Sequence, residues 1–174
     1  MDRQKQARRQ GPELTAKVGY VSRYRLRRAR PEEAGRLTEL AIRSKASNGY
    51  DNAFMAACVG ELTVTPDRVA NGEFWLTELD GRITGFFELV TVDGTAEVMA
   101  LFVEPDLKNS GVGRALWTKL VQCAVAAGAA CIGVGSDPFA QGFYERMGCV
   151  VVGTEPSASI PGRVLPRLVL RLPG

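Results

Sequence analysis

Lys108-Asn109-Ser110-Gly111-Val112-Gly113-Arg114 has the make-up of an anion cradle. An apolar run ends at Glu104-Pro105 just before it, and helical spacing begins just after. A helix start carries unpaired backbone N–H groups and a partial positive charge, which suits a diphosphate. Gly111 and Gly113 would let main chain approach the anion without a β-carbon in the way. Lys108 and Arg114 would add charge at the rim. Two better-known phosphate turns do not fit. A nucleoside-triphosphate loop needs lysine and a hydroxyl residue directly after its last glycine, where this chain has Arg114-Ala115. A dinucleotide turn needs a third glycine, where this chain has Leu116. A plain strand-to-helix turn, with glycine at strained torsions, stays open beside the cradle.

Other chemistry is limited by what is missing. The chain has no histidine, so Ser-His-Asp and Cys-His arrangements are excluded. Proton transfer must fall to carboxylates, tyrosine, backbone or water. Cysteines 58, 123, 131 and 149 share no CxxC spacing, so no metal site is expected and they read as small core residues.

The elements that must hold these residues can be read from pattern. Residues 24–29 suit an edge strand, and 30–46 a helix with Pro31 in its first turn and Glu32-Glu33 at its positive end. The segment 47–52 interrupts it. A second helix runs on to Leu62, and Thr65-Pro66 opens a short third one. Strands at 73–79, 83–92 and 95–103 are joined through Asp80-Gly81 and Asp93-Gly94, which predicts an antiparallel meander. A helix over 111–127, a buried strand at 131–135, a helix over 137–148 and two closing strands complete the pattern. The fold class is α/β: one domain with a mixed, mostly antiparallel sheet of about seven strands flanked by helices.

Composition agrees. At 174 residues, 45% hydrophobic and 24% charged, the chain has room for one globular core but not for two comfortable ones. No apolar run approaches the ~20 residues of a membrane span, and the N-terminus lacks a secretory pattern, so a cytoplasmic protein is expected. The net charge of +3 is concentrated in residues 1–23, whose own balance is +4. That segment reads as a disordered polar tail ahead of a domain at 24–174. A nucleic-acid partner is not expected, because Tyr20 is its one aromatic residue.

Two motifs now carry a resemblance. Leu101 to Leu116 resembles the acyl-CoA-binding motif of the GCN5-related N-acetyltransferase superfamily, Arg/Gln-x-x-Gly-x-Gly/Ala after a strand ending in Val-x-Pro. Lys108 stands at the Arg/Gln position and keeps charge without the planar fork. "DPFAQGFYERMGC" (137–149) resembles the second motif, Asn/Asp-x-x-Ala-x-x-Phe-Tyr-x-x-x-Gly-Phe, with Cys149 in place of the final aromatic. The similarity extends over roughly 24–172, and its closing segment is similar to a bacterial branch acting on small molecules.

The resemblance implies acetyl transfer from acetyl-CoA to the amine of a small molecule, with coenzyme A as product. It implies cofactor contacts from Lys108, Asn109, Ser110, Gly111, Val112, Gly113 and Arg114. The pantetheine arm would bond main chain at Leu101, Phe102 and Val103, where two strands part, and one of those amides would polarise the thioester. Asp137 and Ala140 match positions near pantetheine and thiol, although Asp137 is equally a helix cap. Tyr144 matches the motif's tyrosine and would protonate the departing thiolate; packing in an amphipathic helix is the rival reading.

Glu97 matches a catalytic glutamate of histone-acetylating relatives, and strand alternation puts it on one face with Met99 and Leu101. Glu88 is a rival carboxylate, and a water chain is an alternative to either. Tyr50, Asp51 and Arg163 are the candidate substrate contacts. Relatives commonly form homodimers, and that expectation comes with the resemblance. The rival function is an acyl-CoA-binding regulatory module whose catalysis has lapsed.

Overall fold

Two Asp-Gly pairs set the sheet. In the computed structural model, which describes residues 24–173, Asp80 and Gly81 have φ of 49° and 78°, and Asp93 and Gly94 have 49° and 76°. Positive φ at both central residues is the hairpin turn whose twist matches its flanking strands. These turns join β2 (Glu73–Leu79), β3 (Arg82–Val92) and β4 (Thr95–Val103) as the expected antiparallel meander. With β1 (Arg25–Arg28), β5 (Cys131–Gly135), β6 (Val150–Pro156) and β7 (Val164–Arg171), they form a seven-stranded sheet in the order β1-β2-β3-β4-β5-β7-β6. Only β4 and β5 run parallel. The tail reading of residues 1–23 lies outside the described residues.

Each face of the sheet is buried against different helices. On one face lie α1 (Ala34–Ala46), α2 (Asn52–Leu62) and α3 (Pro66–Asn71), packing Leu37, Leu40, Cys58 and Leu62 onto Leu76 and Phe86. On the other lies α4 (Val112–Ala126), packing Val112, Leu116, Leu120 and Ala124 onto Phe87, Leu89 and Ile132. Adjacent Phe86 and Phe87 thus anchor opposite layers, as strand alternation requires. The segment expected as one helix over 137–148 is a 3-10 turn (Pro138–Ala140) followed by α5 (Gln141–Arg146). No helix among the described residues is long and apolar enough to cross a membrane.

The feature that matters most for a site is a bulge in β4. Glu88 pairs with Ala100 and the next residue, Leu89, pairs with Val98, leaving Met99 as an extra residue. A bulge of this kind bends its strand and increases the local twist. The parallel ladder between β4 and β5 ends at Val98–Val134, and β4 runs on to Val103 without that neighbour. The sheet opens there.

Candidate active site

A cavity of about 570 Å³ occupies the opening. Its size is that of a small-molecule site. Three walls matter: β4 from Val98 to Val103, whose edge is free beyond Val98, the turn and first residues of α4, and the segment from Val134 through α5.

The α4 end is built for an anion. Asn109 (φ 65°) and Gly111 (φ 96°) both take left-handed torsions, so the chain curls before the helix begins. No side chain among the described residues caps α4. The amides of Val112, Gly113 and Arg114 belong to the first turn, where a helix supplies no internal partner. A β-carbon on Gly111 would meet nothing within 4 Å, so its torsion and not crowding demands glycine. A β-carbon on Gly113 would lie 3.2 Å from the Phe143 ring, so this second glycine also sets how closely α4 approaches α5.

The rim differs from the expectation in part. Arg114 lines the cavity and has no ion-pair partner among the described residues; the same holds for Arg146, which sequence reasoning missed. Lys108 also lines it, but its Nζ donates to Ser47 Oγ (2.6 Å) and Asn48 Oδ1 (3.0 Å). It ties the glycine turn to the end of α1. Ser110 does not reach the cavity; its hydroxyl donates to the Leu107 carbonyl at 2.6 Å. The Val112 side chain is wholly in the core, leaving only its amide for a ligand.

Leu101, Phe102 and Val103 line the cavity along the unpaired edge of β4, and Asp137, Ala140 and Tyr144 line it opposite. Tyr144 is 5% exposed, edge-on to Trp117 and Phe143, and its hydroxyl has no hydrogen bond to any described residue. Burial pushes its phenol well above the ordinary value, with smaller effects from Cys149 and Asp137. It therefore stays protonated across the working pH range.

Glu97 is elsewhere. The extra residue at Met99 breaks the alternation, so Glu97 shares a face with Ala100 and Phe102 and not with Leu101. Its carboxylate accepts from Arg167 Nη1 at 2.7 Å, and Arg167 Nη1 also lies 3.3 Å from Glu155. The pair raises the already high pKa of Arg167. Gly133 and Gly135 of β5 make room for this cross-strand group: their β-carbons would collide with Arg167, Glu97 and Glu155. Glu88 is paired with Arg68 on the α3 side, also away from the cavity.

At the far end, Asp137 organises a charged cluster. Its carboxylate accepts from the Tyr50 hydroxyl (2.9 Å), the Phe139 amide (3.0 Å) and Lys45 Nζ (3.3 Å), and Arg163 Nη2 lies 3.6 Å away. Burial alone would raise the Asp137 pKa, but the Phe139 amide, Tyr50 and Lys45 outweigh it and hold the group below its ordinary value. Burial and then the bond to Asp137 push the Tyr50 phenol up to about 12. Tyr50 stands behind Asp137 and Arg163 and does not line the cavity. Nor does Asp51, which caps α2 by accepting from the Phe54 amide at 2.8 Å.

Lys45 was missed by sequence reasoning, although a signal existed. It continues the stripe Leu37, Leu40, Ala41, Ser44 at helical spacing, all of it buried. A lysine on a helix's apolar stripe needs a partner.

Comparisons with known proteins agree with this architecture. The chain matches the GNAT acetyltransferase family over residues 31–149, and it belongs to that family. No curated protein matches it in sequence. Among solved structures, a GCN5-related N-acetyltransferase from Rhodopseudomonas palustris superposes with a TM-score of 0.72 at 23% identity, covering 87% of this chain and 97% of that one. The PaiA N-acetyltransferase of Thermoplasma acidophilum, solved with coenzyme A, gives 0.68 at 16% identity, over 86% and 99%. YncA of Salmonella typhimurium, solved with acetyl-CoA, gives 0.64 at 21% identity, over 87% and 95%. At these identities the likeness is one of fold.

Proposed function

We propose that the protein transfers an acetyl group from acetyl-CoA to the primary amine of a small molecule by direct attack on the thioester. One observation carries the reading. A single cavity joins the uncapped start of α4, the free edge of β4 and the Tyr144 wall, each within the reach of one extended cofactor. Two superposable proteins, PaiA and YncA, were solved with coenzyme A and acetyl-CoA.

Bound acetyl-CoA supplies the acetyl group as an activated thioester. In this reading the amides of Val112, Gly113 and Arg114 hold the diphosphate, with the Arg114 and Arg146 guanidiniums at the rim. Main chain from Leu101 to Val103 would hold the pantetheine arm, and one of its amides would be available to the carbonyl oxygen where negative charge gathers. Tyr144 would donate a hydrogen bond to the departing sulfur. Its raised pKa favours donation over complete proton transfer, since an unperturbed thiol is near 8.5. Glu97 has no part, because Arg167 holds it away from the cavity. The attacking amine's proton leaves through the open mouth to solvent.

A mass-spectrometric screen of amines incubated with protein and acetyl-CoA tests the reading directly. Acetylated product is expected. Coenzyme A binding without product from any amine, together with no effect of Tyr144→Phe, would leave the lapsed binding module instead.

A further inference from the structure

The acceptor end of the cavity contains more positive charge than its own carboxylate can satisfy. Lys45 is 8% exposed, yet its ammonium, with three donors, makes a single 3.3 Å bond among the described residues, to Asp137. Arg163 spends Nη2 on the Tyr50 hydroxyl at 2.7 Å and on the edge of Asp137; its Nε and Nη1 have no partner among the described residues. Both side chains line the cavity. Asp137 is already engaged by Tyr50, the Phe139 amide and Lys45, with Arg163 beside it, so an incoming ammonium meets a carboxylate whose charge is already matched by two cations.

The cluster is also held in place. Tyr50 and Phe54 stack with ring centroids 3.9 Å apart, and the Arg163 guanidinium lies over Phe54 at 4.9 Å. Stacking of this kind fixes a guanidinium as a planar fork, the geometry that grips a carboxylate through two bonds. The other carboxylate on the cavity wall, Glu61, is exposed, bonded by Ser159, and forms no ion pair with Lys45 or Arg163. It leaves the inner excess of positive charge in place.

We infer that Lys45 and Arg163 form a carboxylate-binding subsite, and that the acceptor is a small amine carrying a carboxylate, as an amino acid does. The inference rests on the acetyl-transfer reading above for the word acceptor, but the subsite itself does not. An anion there uses the idle donors of both cations, while the substrate's amine extends toward the free edge of β4. A polyamine or a bare alkylamine would instead meet like charge on arrival.

The test uses a panel of amino acids, each with its carboxamide and its decarboxylated amine, measured by coenzyme A release on the full chain. The acid is expected to exceed its amide and amine in kcat/KM by at least about tenfold, through KM. Arg163→Gln should collapse that acid-to-amide ratio toward one, and Arg163→Lys should restore part of it. Lys45→Gln should act in the same direction; if it fails to fold, the Arg163 variants decide. Amides or amines used as well as acids, or a ratio indifferent to Arg163→Gln, overturns the subsite. If no compound in the panel is acetylated, calorimetry with the coenzyme A complex separates the two readings. Acids that bind more tightly than their amides, with the difference lost in Arg163→Gln, uphold the subsite and sink the transfer reading; equal binding sinks the subsite.

Discussion

Tyr144 and Gly111 show what a single residue contributes to the proposed site. A phenol with no hydrogen-bond partner among the described residues and a raised pKa has its proton free for a ligand atom and keeps it at high pH. Tyr144→Phe should therefore lower kcat by about tenfold or more while leaving the coenzyme A dissociation constant within about twofold. Stopped-flow and calorimetry check the two halves. In the native enzyme, no alkaline loss of kcat from this group is expected below about pH 10, the ordinary phenol value. Gly111 makes a different case. Open space surrounds its missing β-carbon, so Gly111→Val costs through a φ of 96° and through the bulk brought to the anion. The coenzyme A dissociation constant should rise at least about tenfold, or ~1.4 kcal/mol, with circular dichroism unchanged.

At the scale of elements, the legible and the hidden divide along physical lines. Local torsion requirements leave residue-type signatures, so the two Asp-Gly turns and the glycine start of α4 could be read directly. The bulge could not. Met99 sits in an unbroken apolar run with no glycine to mark it, and it moved Glu97 to the other face. Lys108 and Asp51 show a second limit: spacing places a side chain near a turn, but only assembled neighbours decide whether it meets ligand or protein. Lys108 met Ser47 and Asn48, and Asp51 met an amide of its own helix. Between elements, Gly113 predicts a packing effect. Gly113→Ala should press on the Phe143 ring and cost about 1 kcal/mol in urea unfolding, with α5 and the Tyr144 wall displaced.

The molecule as a whole is pinned by carboxylates that lie far from the cavity. Arg27 of β1 donates to Glu33 at the start of the first helical layer (2.7 Å) and to Glu78 of β2 (2.8 Å). The bond from Arg27 holds the buried Glu33 carboxyl below its ordinary value. A carboxyl depressed in the folded state stabilises above its unfolded pKa, and that stabilisation is lost as pH falls through the folded value. Glu33→Gln should cost about 2 kcal/mol at pH 7 and less at pH 3, so its urea midpoints should fall less steeply on acidification than the parent's.

The surplus residue in β4 has a consequence for chain length. The strand is fastened at both ends, by the Asp93-Gly94 turn and by the Glu104 amide bonded to Thr84, so the slack cannot slide out. Excising Met99 would leave Val98 opposite Leu89 and Ala100 opposite Glu88, so side chains downstream would keep their layers while the bend in the strand was lost. The gap between the parallel neighbours would then be free to zip shut. Room for a substrate is thus secured by one residue of extra length that leaves the sorting of side chains between the two layers undisturbed.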